Sequence, residues 1–170
     1  MIRRTVTLSL CCAGLAGAAG TARAQQLEKP RLEPARVIGE TVIGGYASIG
    51  GYFVGRYAFT RAGSLLGVEN ETTLRRIGSV GGVVTAGAAT AGVVYGIGNM
   101  GNQAGDFDKT AIGTGIGMVV ALGTARAVLG PAERPRAGMS TRTRWAAVSA
   151  IAMLPAIGAT IGFNSTRRYR

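Results

Sequence analysis

The uncharged run from Ile77 to Gly105 constrains this chain more than any other feature. A helix needs about 20 residues to cross the hydrocarbon core of a bilayer, and this run exceeds that length. Three further blocks share its character. Val37 to Phe59 holds only Glu40 and Arg56 as charges, Thr110 to Gly130 only Arg126, and Trp145 to Thr166 none. Charged or proline-bearing connectors separate them, chiefly Arg61 to Arg76 and Pro131 to Arg144. With 47% hydrophobic and 16% charged residues, the chain is too apolar for disorder and poor in charge for a water-facing domain.

The 28 glycines bear on conformation. In water each glycine inside a helix costs about 0.8–1.0 kcal/mol relative to alanine. In hydrocarbon an unmade backbone hydrogen bond costs several kcal/mol, which drives the chain into helix or closed barrel. Small residues then let helices approach closely. Their spacing here fits that use. Thr41, Gly44, Ser48, Gly51, Gly55, Ala58 and Ala62 recur at steps of three and four, one continuous seam on a helix. The second block offers Gly78, Gly81, Thr85, Ala88, Gly92 and Gly96. The third has Gly113, Gly117, Ala121 and Thr124, and the fourth has Ser149, Ala152, Ala156 and Ala159 with Gly158 and Gly162. The pattern predicts an all-α membrane bundle of four glycine-rich transmembrane helices in two hairpins, a single membrane domain over residues 37–166.

A second architecture competes. Between Thr110 and Ala125 bulky residues occupy even positions (Ile112, Ile116, Met118, Val120, Leu122), and Ile151 to Phe163 alternates similarly. Period two with one bulky side is the mark of a lipid-facing barrel strand, and halving four blocks would give an eight-stranded β-barrel. Val83 to Gly92 lacks that alternation, and the chain ends in Arg168-Tyr169-Arg170 rather than a terminal aromatic. Helices are the preferred reading.

The punctuation suits helices. The stretch Gly98 to Gly105 stops the second helix, Asp106 or Asp108 can cap the third, and helices two and three should form a tight hairpin. Pro155 falls inside the fourth helix, where it removes a backbone donor and favours a kink. Glu40 and Arg56, at opposite ends of the first block, are expected to snorkel to opposite interfaces; a pore-lining role is the sharper alternative. Basic residues divide evenly between the two predicted faces, so the positive-inside rule leaves orientation undecided.

The chain opens with a targeting pattern: basic Met1 to Arg4, a mildly apolar stretch from Thr5 to Gly20, and the small-x-small signature Ala22-Arg23-Ala24. Residues 1–24 read as a signal peptide cleaved between Ala24 and Gln25. Residues 25–36 follow as a polar flexible lead-in, and 167–170 close the chain as a basic tail. Removing Arg3, Arg4 and Arg23 lowers the formal charge from +11 to +8. It also discards Cys11 and Cys12, the two cysteines of the chain. The mature chain then has neither cysteine nor histidine, which takes away thiolate and imidazole chemistry and the usual zinc ligands.

Other motifs are weak. Asp106 and Asp108 beside Asn102 and Gln103 form a sparse oxygen cluster, short of the carboxylates a calcium loop wants. Gly113, Gly115 and Gly117 lack the spacing and the acidic partner of a dinucleotide fingerprint. No catalytic group, cofactor site, metal site, nucleic-acid partner or small-molecule substrate is expected. The basic residues suit anionic lipid headgroups better than nucleic acid. The expected partners are the lipid bilayer and further copies of the chain. A small barrel or helical pore for passive permeation is the alternative function.

The stretches YFVG, GVVYGIGNMGNQAGDFDKTAIGTGIG and LPAIGATIGFNSTRRY resemble a group of exported, glycine-zipper-type bacterial membrane proteins, over most of Val37 to Tyr169. Tyr95, Gly98, Gly101, Gly105, Phe107, Thr110 and Gly113, with Ile161 to Asn164, carry the resemblance. It implies an integral membrane protein of the bacterial cell envelope and brings no activity with it.

Overall fold

The computed structural model describes residues 31–130 and 138–170. The signal segment, its cleavage point at Ala24 and Gln25, and residues 131–137 lie outside the described residues. The described chain is an all-α bundle of four helices: α1 (Pro34–Leu65), α2 (Glu71–Gly98), α3 (Phe107–Leu129) and α4 (Thr141–Ser165). A two-residue antiparallel pair, β1 (Gln103–Ala104) and β2 (Arg168–Tyr169), joins the α2–α3 linker to the end of the chain.

Local chemistry accounts for the boundaries. α1 starts on Pro34, whose fixed φ and missing N–H suit a first helical turn. The helix therefore begins inside the segment expected to be a flexible lead-in. The Asn70 side chain accepts from Thr73 N–H at 3.1 Å and starts α2; Ser140 does the same for α4 through Thr143 N–H at 3.1 Å. The charged connector expected between the first two helices shrinks to a short turn. Its reversal uses Gly67 at φ +81°, where a residue with a Cβ would be strained.

The segments with period-two alternation are helical, so the barrel reading does not hold for them. The alternation arises from two four-residue lines lying one position apart. Ile112, Ile116 and Val120 form an exposed line, while Gly113, Gly117 and Ala121 form a buried one beside it.

Three helices, α2, α3 and α4, are long and apolar enough to cross a membrane. The expectation of four such segments is corrected at α1, which spans 32 residues but is not among them. Arg36, Glu40, Arg56 and Arg61 interrupt it, and its apolar content is diluted by glycine and tyrosine.

The two expected hairpins pair as α1–α2 and α3–α4, and only the tight turn expected between α2 and α3 departs from expectation. The extensive contacts are α1 with α2 and α3 with α4, whereas α2 and α3 meet over a small area. Gln103 and Gly105 of their linker are buried, and Gln103–Ala104 pairs with Arg168–Tyr169, so the linker packs inward and does not close as the tight hairpin expected there.

Side chains are distributed inside out relative to a water-soluble fold. The buried apolar set is Ala86, Ala91, Val94, Ala121, Ala156, Ala159 and Phe163, mostly alanine. Large apolar residues face outward, with Val119 72% exposed, Tyr46 66%, Val54 66% and Ile116 62%. Soluble monomers rarely expose contiguous apolar surface on this scale. The buried hydroxyls of Thr90, Thr110 and Thr114 are satisfied by carbonyls four residues back, at 2.8, 3.0 and 2.8 Å, so they need no water.

Candidate functional site

The expected seam residues fall into two groups. Gly113 and Gly158 oppose each other so closely that a methyl group on either would run into the other's carbonyl. Gly117 lies against the Leu154 carbonyl and Pro155 Cα, and Gly162 against the Lys109 carbonyl. The α3–α4 contact is therefore backbone on backbone. Gly113 and Gly117 stand in the helix interior and shape no phosphate loop. In the first hairpin, a Cβ at Gly51 would lie 2.9 Å from the Thr85 carbonyl and 3.0 Å from Ala86 Cα. Gly55 meets Thr85 and the Gly81 carbonyl, Gly78 meets Thr60, and Gly81 meets the Phe59 ring. Gly44 joins the hairpins, its Cβ position 2.7 Å from Val94 and 3.1 Å from Ala156. Ser48 is buried beside this seam.

Gly92 and Gly96 form the second group. Nothing lies within 4 Å of either Cβ position, so they are not part of the intrachain seam. The inner line of α2 runs instead through Gly78, Gly82, Ala86, Thr90, Val94 and Gly98. Ala88, Gly92 and Gly96 make a parallel exposed line about half a turn away. Two interleaved four-residue lines of small residues look alike in sequence, and only the positions of the neighbouring helices separate them.

The polar chemistry gathers at one end of the bundle. Glu40 is fully buried, which corrects the expectation that it snorkels to an interface. Its Oε1 accepts from Arg36 Nε at 3.2 Å, and its Oε2 accepts from Asn164 Nδ2 at 3.1 Å. Arg36 also donates to the Ile97 carbonyl at 3.3 Å and to the Gly98 carbonyl, at the C-terminus of α2 where unsatisfied carbonyls attract a cation. Asn164 donates as well to the Thr160 carbonyl at 2.8 Å, and Thr41 reaches Thr160 Oγ1 at 3.4 Å. Buried Arg167 adds a second positive charge acting on the Glu40 carboxylate. One carboxylate thus ties α1 to α4 directly and, through Arg36, to α2. The spacing of Arg36 and Glu40, four apart on one helix face, was the available sequence signal; Asn164 gave none.

Next to this network sits the Phe163 ring, fully buried. Gly98 and Gly105 form its floor and roof: a Cβ on either would approach the ring to 2.5 Å. Tyr95 meets it edge-on with centroids 6.4 Å apart, and Phe107 meets Tyr95 at 5.3 Å. Tyr95, Gly98, Gly105 and Phe107 thus gather around Phe163, whereas Gly101 and Ile161 of the same sequence stretches stand outside the socket. Asp106 occupies the N-cap position of α3 without a side-chain capping bond. Its carboxylate pairs with Arg168 at 3.3 Å instead, and its N–H donates to Thr166 Oγ1 at 3.0 Å. The expected basic tail is thereby held against the α2–α3 linker. Among the described residues, no group of three potential ligand side chains could hold a metal ion.

The opposite half of the bundle is less tightly filled. A cavity of about 480 Å³ lies between the two hairpins, walled by Ile49 and Phe53 of α1, Leu122 and Leu129 of α3, and Trp145 of α4. Among the described residues, Arg56 is its one charged lining residue.

No protein-family model, no curated protein and no solved structure matches the chain.

Proposed function

We propose that this chain is a non-enzymatic integral membrane protein of the bacterial cell envelope, delivered by a cleaved signal peptide, whose bundle assembles with further copies of itself. The resemblance to exported glycine-zipper proteins belongs to the same proposal. The observation that carries it is the inverted side-chain distribution: glycine, alanine and threonine inside, isoleucine, valine and aromatic residues outside. Such a surface suits lipid, and the close packing of small residues supplies the van der Waals contact that replaces the hydrophobic drive there. The exposed line of Ala88, Gly92 and Gly96 favours a second copy as the partner in assembly. It offers α2 of another molecule the kind of surface that α3 and α4 already use on each other.

The test is the oligomeric state of the mature chain in detergent, measured by light scattering. Gly92→Leu and Gly96→Leu should shift the population to monomer while leaving helicity and thermal stability unchanged. An unaltered oligomer would sink the assembly reading.

A further inference from the structure

We infer that the cavity between the hairpins holds one acyl chain of an anionic phospholipid, whose phosphate is bound by Arg56. This rests on the reading that the bundle lies in a bilayer. A volume of about 480 Å³ falls within the range of small-molecule sites, roughly 300–1,000 Å³. Its walls are almost entirely apolar, with Ser48, Ser149 and the Tyr52 hydroxyl as the uncharged polar exceptions. The chain that fits must therefore be a hydrocarbon.

Charge decides which lipid supplies it. Arg56 lines the cavity and is exposed, and among the described residues no carboxylate stands within salt-bridge distance of it. The same half of the molecule carries Arg61, Arg75, Arg76, Arg126, Arg142 and Arg144. The described carboxylates there are Glu69 and Glu71, and Glu71 is taken by Arg75 at 2.6 Å. A guanidinium facing apolar walls, in a field of further arginines, complements a phosphate and opposes a cationic headgroup. The other end differs, because Arg36 and Arg168 are already paired with Glu40 and Asp106.

Trp145 is the only tryptophan of the chain and lines this cavity, so it reports on the site without labelling. The protein is reconstituted in phosphatidylcholine vesicles containing a minor fraction of either phosphatidylglycerol or phosphatidylcholine brominated on the acyl chains. Quenching of Trp145 should favour the brominated phosphatidylglycerol by about fivefold in apparent affinity, the factor expected of one arginine near an anionic lipid. Arg56→Gln should abolish that preference. Ala125→Phe, which fills the cavity from α3 and leaves the charge intact, should abolish it too. Arg76→Gln, outside the cavity, should retain it.

Equal quenching by the two lipids, or a preference surviving in Arg56→Gln or Ala125→Phe, overturns the site while leaving membrane insertion standing. A preference lost equally in Arg76→Gln also overturns it, since general surface charge then suffices. Absence of quenching by either lipid overturns the bilayer reading itself.

Discussion

Asn164 donates to Glu40 at 3.1 Å across a separation of 124 positions, tying the first helix of the bundle to the last. That bond lies at full burial on the Glu40 side, beside the Arg36 pair at 3.2 Å. The carboxylate thereby adds a polar tie to the contacts of Gly44 with Ala156 and of Gly98 with Phe163 that also join the hairpins.

Removing that carboxylate takes the charged acceptor from Arg36, which keeps only the Ile97 and Gly98 carbonyls, and leaves Asn164 only the Thr160 carbonyl. Breaking a buried pair from one side costs about 3–5 kcal/mol. Glu40→Leu should therefore lower the midpoint of thermal unfolding in detergent, followed by circular dichroism, far more than Glu40→Gln. The amide keeps the shape and an acceptor oxygen. A Glu40→Leu variant as stable as the native chain would show that the network contributes nothing.

The α3–α4 seam predicts opposite signs for two neighbouring glycines. Gly113→Ala places a methyl against the Gly158 carbonyl, and overpacking of this kind costs about 1–3 kcal/mol. Gly115 faces open space, so Gly115→Ala should be neutral or stabilise by up to about 1 kcal/mol through helix propensity. Unfolding titrations of the two variants in one detergent make the comparison.

Phe163 fills a socket whose walls include two glycines. Phe163→Ala should destabilise by about 3–5 kcal/mol, in the range of large-to-small changes at buried aromatic sites. Gly98→Ala should approach that loss from the other side, because backbone fixes the wall and the ring has nowhere to move. Near-ultraviolet circular dichroism, which reads the packing of Tyr95 against Phe163, should flatten in both variants.

The Asp106–Arg168 pair is a control. Its side chains are 44% and 65% exposed, and exposed pairs contribute about 0–1 kcal/mol. Asp106→Asn should change stability within that range, and added salt should remove the difference. A larger effect would mean that the clasp between β1 and β2 depends on the carboxylate rather than on its backbone bonds.

Helix content and much of the packing were legible because glycine spacing maps directly onto helix faces. Gly51, Gly55, Gly113, Gly117, Gly158 and Gly162 all stand where backbones approach, and Gly44 where the Val94 and Ala156 side chains press in. Gly92 and Gly96 share that spacing yet face outward, since a helix carrying two parallel small-residue lines does not itself say which one its neighbour takes. The form of the α2–α3 linker was obscured for a related reason. The Gly98–Gly105 stretch reads as a tight turn, but its excursion is set by pairing with Arg168 and Tyr169, far away in sequence. Glu40 looked like an interfacial charge because its partner Asn164 lies in the last helix, out of reach of any local pattern.

The contact of Gly113 and Gly117 with Gly158 and Gly162 has a thermodynamic consequence of its own. Burying a long side chain costs up to about 1.5–2 kcal/mol in lost rotamer freedom, and burying glycine costs none of this side-chain term. Backbone meets backbone along that line, so the two helices dock as rigid rods and no rotamer is frozen where the glycines meet. The register of the hairpin is set by where the glycines fall, and the outward-facing residues of the two helices take no part in it.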